Sequence, residues 1–195
     1  LRLNNPEKTQ QIFDELVPQL VNVVADQSGC HVVRTLVEFL NEAQVTAFVG
    51  SLTRDLVLNL ATTSQHTRRI LQVLFERHRC PALQAVVDVV SENCVALATT
   101  QQGCIAVMRV LENAVDQQKM QLLTALSPRL AALAMDPYGN YVVQSIAQHF
   151  NKEQGSEVIE KAFAGHWVAL SRNKFASNVM EKVLHAATPA TRKAI

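Results

Sequence analysis

Apolar positions recur along this 195-residue chain in a fixed order around one small residue. In the segment DPYGNYVVQ, residues 136–144, the small residue is Gly139. Apolar side chains follow it three, four and seven positions later, a spacing that places them on one face of a helix. Two further apolar positions, six and nine residues before Gly139, predict another helix upstream. These five positions are Leu130, Leu133, Val142, Val143 and Ile146.

The same order recurs in four other segments, with a period near 36 residues. They are DQSGCHVVR (26–34), SQHTRRILQ (64–72), TQQGCIAVM (100–108) and NKFASNVME (173–181). The five small residues are Gly29, Thr67, Gly103, Gly139 and Ala176. Each unit is therefore predicted as a helix, a short turn and a second helix. One such unit cannot bury its apolar stripe alone, whereas stacked units bury a continuous core, so the pattern predicts an all-α solenoid.

We divide the chain, residues 1–195, into a single repeat domain of five units. Their approximate limits are 8–43, 44–80, 81–117, 118–152 and 153–191, with first helices starting near Glu7, Glu42, Pro81, Gln117 and Glu153. Residues 1–5 resemble the end of a preceding unit, and the final segment TPATRKAI resembles the start of a following one. We therefore expect the array to continue in a longer protein.

Composition agrees with a helical protein and argues against several functional classes. The chain has 48% apolar residues, six glycines and six prolines, and no apolar run of the length that a membrane span needs. The four cysteines lack zinc-ligand spacing, so we expect reduced thiols, no metal and no cofactor. No catalytic motif is present, and we expect no enzyme. A net charge of +1 does not by itself indicate a nucleic-acid partner, but it permits one if basic and acidic residues lie on different faces.

A second set of positions follows a different rule. It comprises the first, second and fifth residues after the small residue, here called the +1, +2 and +5 positions. In chain order the sets are Cys30/His31/Arg34, Arg68/Arg69/Gln72, Cys104/Ile105/Met108, Asn140/Tyr141/Gln144 and Ser177/Asn178/Glu181. Polar +1 and +5 groups suit the edge of an unstacked base and a planar +2 group suits its face, as in helical repeats that read one base each. The plain alternative is a row of solvated polar positions, but five sets in register favour base reading.

These motifs resemble the Pumilio (PUF) family of RNA-binding repeat proteins. GNYVVQ and FASNVMEK resemble the sixth and seventh of that family's eight repeats, and ENCVALATTQQGC resembles the fifth, so the chain resembles repeats three to seven. The resemblance implies a curved α-solenoid with single-stranded RNA on its concave face and possible regulatory proteins on its convex face. It also implies that RNA runs antiparallel to the protein, with the last unit nearest the 5′ end.

The resemblance assigns bases most firmly in the last two units. Ser177 with Glu181 resembles a guanine-reading pair, beside which Asn178 would stack. Asn140 with Gln144 resembles a uracil-reading pair beside Tyr141. Together these units imply 5′-G-U-3′, which fits the family's UGU core if a further repeat reads the first U.

The first three units depart from the family pattern. Cys104 fits an adenine-reading pair, but Met108 replaces the usual Gln and Ile105 cannot stack as a planar group does. In the second unit Arg68 is bulky where a small or amide residue is usual, although Arg69 can stack and Gln72 is standard. In the first unit Cys30 with Arg34 resembles a cytosine-reading pair, with His31 stacking. We expect Cys30 and Cys104 to be slightly exposed, and Trp167 to lie in the core.

The resemblance implies sequence-specific binding to mRNA 3′ untranslated regions and cytoplasmic control of translation or decay, without DNA or membrane partners. Two alternatives remain open. Degenerate PUF-like proteins bind RNA during ribosome biogenesis in the nucleolus. The irregular sets of the second and third units favour that role, whereas the intact sets of the fourth and fifth units argue against it. HEAT- or armadillo-like solenoids bind proteins, but they have no need of the +1, +2 and +5 pattern.

Overall fold

A computed structural model describes residues 5–149 and 152–186, and in these ranges the chain forms helices and turns but no strand. The expected end of a preceding unit falls mostly on residues 1–4, and the expected start of a following unit falls on 188–195. Both lie outside the described residues. None of the helices in the described ranges is long and apolar enough to cross a membrane.

Each unit contains three helices. The first helices are α1 (Pro6–Leu16), α4 (Glu42–Ser51), α7 (Gln84–Glu92), α10 (Asp116–Leu126) and α13 (Lys152–Phe163). The short second helices are α2 (Leu20–Ala25), α5 (Arg54–Thr62), α8 (Cys94–Ala98), α11 (Leu130–Ala134) and α14 (Trp167–Arg172). The third helices, which carry the +1, +2 and +5 positions, are α3 (Gly29–Val37), α6 (Gln65–Arg77), α9 (Gln101–Asn113), α12 (Gly139–His149) and α15 (Ala176–Ala186).

The prediction of two helices per unit was therefore wrong, because the upstream apolar positions belong to a separate short helix. In the first and fourth units a 3-10 turn, Val17–Gln19 or Ser127–Arg129, separates the first and second helices. Pro18 and Pro128 lie in these turns. Proline has no backbone N–H and its ring clashes with the preceding helical turn, so the first helix cannot continue through it.

The third helices form one continuous layer, in which α3 packs on α6, α6 on α9, α9 on α12 and α12 on α15. The first helices of neighbouring units contact one another less extensively. This difference curves the solenoid towards the layer of third helices. The predicted +4 and +7 residues are buried in all five units and build the core beneath that layer.

The +3 row shows one exception to the predicted core. Its last four members, Ile70, Ala106, Val142 and Val179, are buried, but Val32 in the first unit is 51% exposed. Val179 is buried although it belongs to the last of the five units, whereas Val32 is exposed and belongs to the first. The +3 side chain must therefore pack against the preceding unit. Trp167 is half-buried, with its ring edge-on to Phe163 at 5.6 Å between centroids, and not fully in the core.

A repeated side-chain cap fixes where the third helix begins. In every unit the residue three positions before the small residue accepts a hydrogen bond from the backbone N–H of that small residue, over 2.7 to 3.2 Å. The capping residues are Asp26, Ser64, Thr100, Asp136 and Asn173. Their oxygen satisfies a donor that the helix itself leaves unpaired. This periodic signal is present in the sequence, and the apolar pattern did not reveal it.

In three units the small residue is a glycine, which close packing between the second and third helices requires. A Cβ atom on Gly29 would lie 2.2 Å from the carbonyl oxygen of Val23, and one on Gly103 would lie 2.4 Å from that of Leu97. At Gly139 the corresponding distance, to Leu133, is 2.8 Å. In these units the third helix therefore starts directly against the backbone of the residue six positions earlier.

Candidate nucleic-acid interface

The fourth unit holds its two amides in a defined arrangement. Asn140 is only 3% exposed. Its Nδ2 donates to the backbone carbonyls of Asp136 and Pro137 over 2.9 and 2.8 Å, and its Oδ1 accepts from Nε2 of Gln144 at 2.9 Å. Within the described residues Gln144 has no other hydrogen bond, so its Oε1 and its second N–H remain available. The ring of Tyr141 is 53% exposed beside this pair. Asn140 thus orients Gln144, which presents one acceptor and one donor.

The fifth unit presents a carboxylate. Glu181 is exposed and makes no hydrogen bond or ion pair in the part of the chain that the structure describes. Ser177 is half-buried, and its hydroxyl donates to the carbonyl of Lys174 at 3.3 Å. Asn178 is exposed and its Nδ2 lies 3.5 Å from the same carbonyl. A hydroxyl and an unpaired carboxylate are therefore available one helical turn apart.

The third unit has no amide, hydroxyl or carboxylate at its +1, +2 and +5 positions. Cys104 is buried with its Sγ 3.4 Å from the carbonyl of Gln101, and Ile105 and Met108 pack partly against the core. The thioether of Met108 is at best a weak acceptor. This unit offers a mostly apolar surface between two polar neighbours.

The second unit differs from the fourth because its +1 and +5 side chains bind each other and also bind side chains outside the set. Nε of Arg68 donates to Oε1 of Gln102 at 3.0 Å, and its Nη1 donates to Oε1 of Gln72 at 3.2 Å. Nε2 of Gln72 then donates to Glu76 at 2.8 Å. Arg68 and Gln72 therefore form part of a bonded chain that reaches into the third unit. Arg69 next to them is exposed.

The first unit exposes an imidazole beside a buried thiol. The ring of His31 meets that of His66 edge to face, with 5.0 Å between centroids. Cys30 is buried, with its Sγ 3.2 Å from the carbonyl of Gln27. Arg34 is half-buried, and its Nε is shielded from solvent without a hydrogen-bond partner among the described residues.

In two units the residue just before the small residue adjoins the candidate interface, and the sequence pattern missed it. Gln102 in the third unit bonds to Arg68 of the second, and His66 in the second unit contacts His31 of the first. The corresponding residues further along are Tyr138 and Phe175. This position, here called −1, therefore contacts the +1 or +2 residue of the preceding unit in both pairs. Only the packing of neighbouring units reveals this relation.

The thiols are less accessible than the sequence suggested. Cys30 and Cys104 are 2% and 3% exposed, so the expectation of slightly exposed thiols at +1 was wrong. Each sulfur turns back towards a backbone carbonyl of the preceding turn, away from solvent. Cys94, nine positions before Gly103, is also buried in the core. Among the described residues no cluster of His, Cys, Asp or Glu could hold a metal ion.

Thiol labelling is expected to separate Cys80 from the other three cysteines. Cys80 is half-buried, whereas burial raises the pKa of the Cys94 and Cys104 thiols and so reduces their reactive thiolate fraction. Native protein treated with a small disulfide reagent at pH 8 should react rapidly at one site, and Cys80→Ser should remove that phase. Unfolded protein provides the control, in which four thiols react. A second rapid thiol in the native Cys80→Ser variant would contradict the burial described here.

Charge is partly segregated between the helical layers. Arg34, Arg68, Arg69 and Arg109 lie on third helices of the first three units, while Glu42, Asp88, Glu92 and Glu157 lie on first helices. The separation is incomplete, because Glu76, Glu112 and Glu181 also lie on third helices. The candidate interface is therefore most basic around the second unit and carries an unpaired carboxylate at the fifth.

Comparisons with known proteins agree with this architecture. The Pumilio-family RNA binding repeat matches residues 19–52, 93–127, 129–163 and 166–195. The Pumilio domain-containing protein C6G9.14 of Schizosaccharomyces pombe is 26% identical over 189 residues, covering 96% of this chain and 27% of that protein. Putative pumilio homolog 10 of Arabidopsis thaliana is 30% identical over 166 residues, covering 85% of this chain and 31% of that protein.

A solved structure shares the fold over almost the whole chain. It is the Puf4 RNA binding domain bound to HO endonuclease RNA 3′ UTR recognition sequence, with a TM-score of 0.86 and 25% identity over 98% of this chain and 60% of that one. The chain spans about a third or less of the length of the S. pombe and A. thaliana relatives. The four matched repeats cover more than half of the sequence and begin near the second helices described above. The chain therefore belongs to the Pumilio family of RNA-binding repeat proteins.

Proposed function

We propose that this chain binds single-stranded RNA along its third helices and reads one base with each of its last two units. The observation that carries the proposal is the pair of contacting helices α12 and α15. Each presents an edge-reading group at +5, Gln144 or Glu181, near an exposed +2 residue, Tyr141 or Asn178. A HEAT- or armadillo-like surface for protein binding has no reason to repeat this combination in register.

Uracil is the base that suits the fourth unit. Its N3–H is a donor flanked by two carbonyl acceptors, and the Oε1 and remaining N–H of Gln144 match one donor and one acceptor. Because Asn140 already accepts from Gln144 over 2.9 Å, the amide of Gln144 is orientated before RNA arrives. The exposed ring of Tyr141 supplies a stacking surface, and stacking on an aromatic side chain is worth about 1–3 kcal/mol per base.

Guanine suits the fifth unit. Its N1–H and N2–H₂ are adjacent donors, and a carboxylate accepts from both. Glu181 has no partner among the described residues, so it gives up no internal hydrogen bond when it binds the base. We therefore propose a 5′-G-U-3′ core, extended to UGU if a further repeat reads the first U, followed by weakly selected bases.

The physiological role that we propose is recognition of mRNA 3′ untranslated regions in the cytoplasm, with control of translation or decay through partner proteins. It is supported by family membership and by the Puf4 complex, whose RNA is a 3′ UTR recognition sequence.

Binding of two short labelled RNAs at one salt concentration tests the proposal. One RNA carries UGU and the other carries UCU, and fluorescence anisotropy should give a micromolar Kd for UGU and an affinity about tenfold or more weaker for UCU. Tyr141→Ala should weaken UGU binding by at least about fivefold, corresponding to the lower end of the stacking range. Phe39→Ala is the matched control, because Phe39 is an exposed aromatic residue beside the first helices α1 and α4. If neither RNA binds above background, the protein-binding alternative replaces this proposal. Equal binding of both would favour a less selective RNA-binding role.

A further inference from the structure

Arg68 occupies the +1 position of the second unit, and its side chain is 8% exposed. A guanidinium has five N–H donors in a planar fork. Two of them are used, by Nε to Gln102 and by Nη1 to Gln72. Nη2 makes no hydrogen bond within the described part of the chain. The two bonds hold the guanidinium in place between α6 and α9, with one edge of donors available.

Hydrogen bonds engage both polar ends of the Gln72 amide. Its Oε1 accepts from Arg68 and its Nε2 donates to Glu76. In the fourth unit the equivalent Gln144 keeps its Oε1 available. The Gln72 amide is therefore held by two neighbouring side chains, Arg68 and Glu76, whereas that of Gln144 is held by one, Asn140. The second unit is therefore built differently from a base-reading unit, although Gln72 itself fits the family pattern.

Positive charge accumulates around Arg68, and no carboxylate of the described residues contacts its guanidinium. Burial lowers the pKa of its guanidinium, and the charges of Arg109 and Arg69 lower the pKa further. Arg109 also has a buried Nε without a hydrogen-bond partner among the described residues, although its Nη1 binds Glu112 at 2.7 Å. Three guanidinium groups on two adjacent helices thus repel one another. A bound anion is the ligand that would reverse this repulsion.

We propose that the second unit binds a phosphate of the RNA backbone through Arg68, supported by Arg69 and Arg109, and reads no base. This inference rests on the proposed function, because the RNA must pass along the third helices. The planar fork of arginine matches phosphate oxygens in a two-bond geometry, and the bonds to Gln102 and Gln72 fix that fork in advance. A phosphate is present at every nucleotide, so this contact anchors the strand whichever base lies there.

Two measurements distinguish a phosphate contact from a base contact. The RNAs carry UGU, one fixed nucleotide opposite the third unit, and each of the four bases in turn opposite the second. Wild-type protein should bind all four within about twofold. A plot of log Kd against log salt should become shallower by about 0.7 in Arg68→Asn, since one fewer phosphate is neutralised on a single strand. Arg68→Asn should also gain a preference for uracil opposite the second unit, because an asparagine at this position, together with Gln72, recreates the pair present at 140 and 144.

Control variants distinguish loss of the Arg68–phosphate contact from a general loss of positive charge or of folding. Arg129→Asn removes the same charge from an exposed 3-10 turn that packs against α10, α11 and α13, and should leave the salt slope unchanged. Arg68→Lys keeps the charge and should retain the slope while weakening binding to all four RNAs equally. Circular dichroism of each variant verifies the helical fold.

The outcomes also separate this inference from the proposed function. Wild-type discrimination above about fivefold opposite the second unit would overturn the inference, and a strong guanine preference would indicate that Arg68 reads that base. An unchanged salt slope in a folded Arg68→Asn variant would overturn it as well. In either case continued discrimination of UGU from UCU leaves the proposed function intact. Loss of that discrimination in wild type would instead remove the proposed function.

Discussion

The double variant Ser177→Asn, Glu181→Gln should convert the fifth unit from preferring guanine to preferring uracil. The change recreates the Asn140 and Gln144 pair on α15, where the helix carries the same cap and the same spacing of +1 and +5 residues. The guanine donors lose their carboxylate acceptor, and the uracil edge gains an orientated amide. A two-bond contact to a base edge is worth about 1–3 kcal/mol of discrimination, so the ratio of the two affinities should shift by at least about tenfold.

Anisotropy with UGU and UUU RNAs measures this reversal. Wild type should prefer UGU and the double variant should prefer UUU at the same salt concentration. Glu157→Gln provides the control, because Glu157 lies exposed on the first helix α13, where it pairs with Lys161, and the substitution removes the same charge. That variant should keep the wild-type preference. A double variant that binds RNA but still prefers UGU would show that Ser177 and Glu181 do not read the base.

Gly103→Ala is expected to destabilise the array, whereas Gly50→Ala is expected to stabilise it. The added methyl group at 103 would lie 2.4 Å from the carbonyl oxygen of Leu97, and the helices must separate to admit it. Overpacking of this kind costs about 1–3 kcal/mol. Gly50 lies in helix α4 with no atom within 4 Å of an added Cβ, so alanine there gains about 0.5–1 kcal/mol from the lower entropy of the unfolded chain.

Urea unfolding followed by circular dichroism tests this pair. The midpoint should fall for Gly103→Ala and rise for Gly50→Ala, and the free energies of unfolding should differ by about 1.5–4 kcal/mol. RNA binding below the transition should weaken in Gly103→Ala, because the same contact directs the third helix. Equal midpoints for the two variants would contradict the close approach between α8 and α9.

The repeat period and the core were predictable because they depend on local periodicity. Val143, Leu36 and Leu74 could each be assigned to the core from their distance to the small residue, and the structure confirms them. The short second helix was missed because its few residues give too weak a period, and Pro18 and Pro128 were not used as helix ends. The side-chain cap formed by Asp136 and its equivalents could also have been predicted from the sequence, because the capping residue always lies three positions before the small residue.

Contacts between units could not be predicted in the same way. The exposure of Val32 depends on which neighbour covers the +3 position, and the bond between Arg68 and Gln102 joins residues 34 positions apart. Cys104 illustrates a third limit. Its place in the register was correct, but its burial follows from the direction of the side chain at the start of α9. Local patterns predict the candidate interface positions, while packing between units decides which of their atoms remain available.

The contacts of the −1 residues have a consequence for protein engineering. Recoding a unit by exchanging only its +1, +2 and +5 residues leaves the −1 residue of the next unit unchanged. Gln102 would then remain as a hydrogen-bond acceptor directed at whatever replaced Arg68, and His66 would remain against whatever replaced His31. A transplantable module for changing specificity in this array should therefore extend from one small residue to the residue just before the next. Each exchanged segment would then include the −1 residue that contacts it, and designed units could be combined without mismatched contacts between them.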